Sequence, residues 1–126
     1  MPLQKHVEVR ESVCRFRLAG ECSLIEVVEA ITSAIAHSRD QSIDKLLINA
    51  TDVMGVPIPS LVDRFLMVEE WAQESKGMVV VALVVHAEYI HPEKFGVRVA
   101  ADFGLTSDVY TSETDALKWL SSHLGS

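Results

Sequence analysis

Hydrophobic and polar positions alternate from the start of the chain: Val7 and Val9 are set against His6, Glu8 and Arg10, and then Cys14, Phe16 and Leu18 against Arg15 and Arg17. A period of two predicts strands, and with only Glu11 and Ser12 between the runs an antiparallel hairpin follows, although no Asn-Gly or Asp-Gly pair fixes the turn type. From Ser23 the period lengthens. Leu24, Val27, Val28, Ile31 and Ile35 fall on one helical stripe, with Ala30 and Ala34 beside it, and the helix is expected to run to about Ser38. Ser23 and Glu26 stand at capping-box spacing, where hydroxyl and carboxylate satisfy orphan backbone donors reciprocally.

The run Lys45 to Ala50 has the length and apolarity of a buried strand. Residues 51–59, TDVMGVPIP, read as a loop because they hold two prolines and a glycine. That loop is nevertheless apolar at Val53, Met54, Val56 and Ile58, which suggests that something covers it. Pro59 suits a first helical turn, and Leu61, Phe65, Val68 and Ala72 follow at core spacing up to Gly77, an expected left-handed cap. Val62, Leu66 and Met67 widen the apolar arc, while Asp63, Glu69, Glu70 and Glu74 keep one flank solvated. Met78 to Val85 is apolar without alternation and predicts a central strand buried on both faces. Pro92 is expected to open a helix carrying Phe95, Val99 and Phe103, closed by Gly104. A short strand at Asp108–Thr111 and a last helix, with Ser112 and Asp115 as its cap and Ala116, Trp119, Leu120 and Leu124 as its apolar face, complete the chain.

The expected order is β-β-α-β-α-β-α-β-α, an α/β domain spanning residues 1–126 with a mixed, mostly parallel five-stranded sheet and four helices. If the sequential crossovers laid every helix on one face, the other face of the Met78–Val85 strand would still need cover, so a homodimer is expected.

The length of 126 residues leaves room for one core and not for a separate cofactor module. Eighteen acids against eleven bases give a net charge of −7, and residues 51–126 hold eleven of those acids against five bases. Nucleic-acid binding is not expected, since phosphate contact needs clustered Lys and Arg. Arg15 and Arg17 form the only local basic pair and read as an exposed sheet face. Cys14 and Cys22 lack the spacing of a zinc ribbon or a redox motif, no segment has secretory or membrane-spanning character, and a cytoplasmic location with reduced thiols follows as the expectation.

Ligands of open α/β sheets favour the carboxyl ends of the strands. Those ends hold Thr51 and Asp52 after one strand, and His86, Glu88, Tyr89, His91 and Glu93 after the next. His86, Glu88 and His91 match no metal signature, and Ser60, His86 and Asp52 lack the Gly-x-Ser-x-Gly elbow of a hydrolase. No phosphate-cradling glycine motif occurs. No metal, cofactor or enzymatic activity is expected. The residues assigned to a ligand- or partner-binding surface are Asp52, Met54, Val56, Ile58, Ser60, Leu66, His86 and Tyr89.

Three stretches, KLLINATDV, MVVVALVV and KFGVRVAADFGLTSDVYTSETDALKWL, bring a family into view. Through them the chain resembles the SpoIIAA-like family, the STAS and Sec14-related group of small bacterial proteins, over nearly its whole length. The resemblance implies a non-enzymatic regulatory or protein-interaction module, with a protein partner or a second copy as its target. In the family's anti-sigma-factor antagonists a serine at the start of the helix after the third strand is phosphorylated and controls binding of a kinase. Asp52 resembles the aspartate after that strand, but the Asp-Ser pair is missing and Ser60 follows two prolines, where it reads as a first-turn residue. The Sec14 branch implies the alternative, a carrier of a small apolar or lipid ligand.

Overall fold

In the computed structural model, which describes residues 3–123, β1 (Gln4–Arg10) and β2 (Val13–Glu21) form the expected antiparallel hairpin. Glu11 and Ser12 both adopt positive φ, 53° and 66°. Two left-handed central residues are what the right-handed twist of a tight hairpin demands, and here they are supplied without glycine. After β2 the chain continues through α1 (Leu24–Asp40), β3 (Lys45–Met54), α2 (Leu61–Ser75), β4 (Val80–Val84), a 3-10 turn at Ala87–Tyr89, α3 (Phe95–Asp102), β5 (Ser107–Tyr110) and α4 (Glu113–Ser121). Sheet order is β1-β2-β3-β4-β5, parallel from β2 onward. The expected α/β architecture of five strands and four helices is present among the described residues.

Several boundaries differ from the sequence reading, each for a local reason. Thr51 to Met54 extend β3 instead of opening a loop, because β2 is long enough to pair Ala19, Gly20 and Glu21 with Asp52, Val53 and Met54. One irregularity makes this possible: Leu18 stands opposite both Ala50 and Thr51, and the Asn49 side chain accepts from the Thr51 amide at 2.9 Å and hydroxyl at 2.7 Å. β4 is shorter than its apolar run, with exposed Met78 outside it, and lies beside the middle strand β3; its residues are nonetheless covered on both faces. Pro92 lies before α3, which opens at Phe95 behind a left-handed Lys94, and Phe103 falls just past its end. The Ser23–Glu26 capping box forms as expected, whereas Ser112 accepts from the Asp115 amide with no return bond. Leu124 lies outside the described residues.

The helices divide between two layers. Residues of α1, α2 and α3, among them Ile31, Ile35, Val68, Trp71 and Ala100, pack with Cys14, Phe16, Leu18, Leu46 and Ile48 of the sheet. On the other face Ala116 and Leu120 of α4 pack with Leu47, Ala82 and Val84. Cover for the second face of β4 therefore comes from α4 of the same chain, so that face gives no ground for a homodimer. Both cysteines are free and buried, and burial, then the neighbouring Glu26 carboxylate, pushes the Cys22 thiol above its ordinary pKa. Among the described residues no helix is long and apolar enough to cross a membrane.

Leu120 is fully buried at the centre of the α4 layer. Leu120→Ala is expected to lower unfolding stability by about 2–5 kcal/mol, the range for a leucine removed from a close-packed core, as measured by urea denaturation.

Candidate functional site

The carboxyl ends of β3 and β4 open into a cavity of about 140 Å³ between the sheet and the first three helices. Much of its wall comes from α1, the strand ends and α2, and the rest from α3, β5 and the loops between them. The α1 stripe contributes Leu24, Val27, Val28 and Ile31; the strand ends contribute Ala50, Val53, Leu83 and Val85; and α2 contributes Arg64, Met67, Val68 and Trp71. These α2 positions correct the expected core stripe. Val68, Trp71, Ala72 and Ser75 are the buried residues of α2, while Leu61 and Phe65 are exposed together with Val62 and Leu66. Trp71 settles the rotation of the helix, because its bulk is buried and its indole Nε1 donates to the Val28 carbonyl of α1 at 3.2 Å. The Arg39 guanidinium fastens the far ends of the same two helices by donating to the Glu74 carbonyl.

A strap of hydrogen bonds runs along the cavity wall. Tyr89 donates its hydroxyl to the Val56 carbonyl at 2.5 Å, and Arg64 Nη1 donates to the Tyr89 carbonyl at 3.1 Å. The loop 55–59, the 3-10 turn and α2 are thereby joined beside the cavity. Burial lowers the pKa of the Arg64 guanidinium from its ordinary value. On the far rim Lys94 donates to Asp108 at 2.7 Å, and Asp108 also accepts from the Val109 amide and the Tyr110 hydroxyl. Burial acts to raise the Asp108 carboxyl, but those donors and the Lys94 charge outweigh it and hold the group below the usual carboxylate range. Burial, then the adjacent Asp108 carboxylate, pushes the Tyr110 phenol up to about 12.

The eight residues assigned from sequence do not form one site. Val56 and Tyr89 line the cavity. Leu66 lies on the outer face of α2, where Leu61, Val62, Phe65 and Leu66 make an exposed apolar ridge, with Leu66 56% accessible. Ile58, just before that helix, is exposed as well, and Phe103, just past the end of α3, meets Phe65 edge-on at 5.5 Å between centroids. Asp52 and Met54 alternate with Val53, so they point away from the cavity that Val53 lines. Ser60 is the N-cap of α2, not a first-turn residue: its hydroxyl accepts from the Asp63 amide at 3.0 Å, and Asp63 Oδ2 accepts the Ser60 amide at 3.1 Å.

His86 Nε2 meets the Thr51 carbonyl at 2.8 Å. A carbonyl only accepts, so that nitrogen carries the proton. His86 cannot use it as a base toward Ser60, and no hydrogen bond joins Ser60, His86 and Asp52. His91 Nδ1 accepts from the Glu93 amide at 3.1 Å, and among the described residues no group of three His, Cys, Asp or Glu side chains is placed to hold a metal ion.

Of the cavity lining, sequence reasoning named Val56 and Tyr89 and missed, among others, Arg64, Met67 and Trp71. The available signal was spacing: positions 64, 67, 68, 71 and 75 form a helical stripe as regular as the one through 61, 65, 68 and 72, and Trp71 marks it.

No model of a known protein family matches the chain, and no curated protein sequence does. Solved structures do. An anti-sigma factor antagonist from Mycobacterium paratuberculosis superposes with a TM-score of 0.60 at 16% identity, covering 95% of each chain. An uncharacterised DUF3478-family protein with a SpoIIAA-like fold, from Shewanella loihica PV-4, gives 0.51 at 18% identity over 94% of this chain and 93% of its own. The anti-sigma factor antagonist SpoIIAA in its unphosphorylated form gives 0.53 at 17% identity over 95% and 100%. The chain has the SpoIIAA-like fold, as the resemblance of its three sequence stretches implied.

The Asp108 carboxyl at the cavity rim makes a pH prediction. Its folded pKa is depressed, so its contribution to stability is present above the unfolded value near about 3.9 and is lost as pH falls through the folded value. The stability gap between wild type and Asp108→Asn, read from urea midpoints, is expected to be constant above about pH 5 and to close progressively in more acidic buffer.

Proposed function

We propose that the chain is a non-enzymatic regulatory module of the anti-sigma factor antagonist kind, which docks a protein partner through the outer face of α2. The observation that carries this reading is the apolar ridge of Leu61, Val62, Phe65 and Leu66, all exposed on one helix whose opposite side is committed to the cavity and core. Exposed apolar side chains grouped in this way mark an interaction surface more often than an ordinary one. Asp63 and Glu70 on the same helix give the ridge an acidic flank, which favours a partner with basic groups around an apolar centre. Sharing a fold with two anti-sigma factor antagonists supports the same assignment. Phosphorylation of Ser60 is not needed for it. The Asp63 carboxylate already occupies the helix N-terminus, and a phosphate added there would meet a like charge.

Anti-sigma factors encoded by the same genome are the partners to test by titration calorimetry. One is expected to bind, and Leu66→Asp and Val62→Asp, which alter exposed positions, are expected to weaken it at least about tenfold while leaving the melting temperature within a few degrees. Failure of every such factor to bind, or a complex indifferent to both substitutions, would sink the proposal. A dimer seen by light scattering and broken by Leu66→Asp would make the partner a second copy of the chain.

The cavity supports a second reading, the binding of a small apolar ligand. Its volume of about 140 Å³ is close to that of an engineered cavity that admits benzene, roughly 150 Å³, and well below the roughly 300–1,000 Å³ of sites for larger ligands. A single small apolar group fits; a complete lipid does not. Benzene is expected to raise the melting temperature of the wild type and to leave Val53→Phe, which fills the space, unchanged. Absence of a shift in the wild type would dispose of this reading.

A further inference from the structure

The helix α4 packs on β3, β4 and β5 and, beyond Val13 at the start of β2, leaves β1 and β2 open on that side of the sheet. Strand pairing fixes what meets there: Arg17 lies opposite His6, Arg15 opposite Glu8, and Arg10 opposite Val13. Side chains alternate along a strand, so His6, Glu8 and Arg10 of β1 share this face with Arg15 and Arg17 of β2. With Glu113 at the start of α4 they wall a polar groove of about 220 Å³.

One end of this groove already holds an oxyanion, the protein's own. Glu113 Oε2 accepts from Asn49 Nδ2 at 2.6 Å and from Arg17 Nη2 at 3.1 Å. The Asn49 bond, against an opposing effect of burial, and then the Arg17 bond and the charges of Arg17 and Arg15, hold that carboxyl below its usual range. Toward the hairpin end two further guanidinium groups stand without an acceptor. Arg10 and Arg15 form no side-chain hydrogen bond or ion pair among the described residues, and Arg15 Nε is buried with no partner at all. Glu8 faces Arg15 across the strands without pairing to it. Buried guanidinium donors are costly to leave unpaired, and their planar fork matches the paired oxygens of a carboxylate or phosphate.

We propose that this groove binds a small oxyanion, a phosphate or carboxylate group held by Arg15 and Arg10 beside the Arg17–Glu113 pair. A small anion fits better than a polyanionic chain. Glu8 and Glu113 stand among the groove walls and would repel an extended phosphate backbone, whereas a compact anion can sit against Arg10 and Arg15. The site lies across the sheet from the α2 ridge and is independent of what docks there.

Titration calorimetry of the full chain with pyrophosphate, and separately with succinate, tests the proposal and distinguishes phosphate from carboxylate chemistry. Saturable one-to-one binding of at least one anion is expected, weakened about tenfold or more in Arg15→Gln and in Arg10→Gln and unchanged in Lys76→Gln, at an exposed position after α2. Arg10 is exposed on an edge strand, so Arg10→Gln keeps the test valid if Arg15→Gln fails to fold by circular dichroism. Absence of saturable binding to both anions overturns the proposal. So does an affinity that Arg10→Gln leaves unchanged, or one that Lys76→Gln reduces equally.

Discussion

The handedness of strand–helix–strand crossovers governs the rest of this structure. Crossovers between parallel strands are right-handed, and β2, β3, β4 and β5 are laid down in one direction across the sheet. Three successive connections of one hand must put α1, α2 and α3 on one side. That side then receives most of the apolar side chains, and the carboxyl ends of β3 and β4 open beneath the helices as a cavity. The last helix follows the last strand and crosses to nothing, so it is free to take the other face, where Leu47, Ala82 and Val84 await cover. Because α4 is short, β1 and most of β2 remain bare there, and their polar residues form a groove.

Three kinds of surface thus follow from one topological constraint. The inner side of α2 closes a cavity, its outer side presents an apolar ridge, and the opposite face of the sheet displays charge. Arg64 and Phe65 are neighbours in sequence, yet one lines the cavity and the other belongs to the ridge. The strap from Arg64 through Tyr89 to Val56 holds that division in place, since it fixes the helix relative to the loop that enters it.

What could be read from the sequence was whatever neighbours in the chain decide. The hairpin, the Ser23–Glu26 capping box, the α1 stripe and the buried β4 run are all set within a few residues, and each is present. What could not be read depends on a distant partner. Thr51 to Met54 become strand because β2 happens to reach as far as Glu21, and nothing in those residues announces the length of β2. The α2 stripe was ambiguous because its apolar arc exceeds what one contact can bury; the choice fell to Trp71 and its bond to α1. In the candidate site, Val56 and Tyr89 were legible from their places after strand ends, whereas Asp52 and Met54 were drawn to the other side by the extension of β3. The unpaired state of Arg15 is a property of three strands and a helix together, and the spacing of two arginines carries no trace of it.

The β1 strand is the outer edge of the sheet, and every one of its seven residues is exposed. An unpaired edge is a template on which other chains can add strands and aggregate. Here Lys5, Glu8 and Arg10 interrupt the two valines, so an incoming strand would have to bring charges to match at three positions. The basic and acidic residues that give the groove its character also act as gatekeepers, and drift toward apolar residues in β1 would erode solubility before it altered the fold.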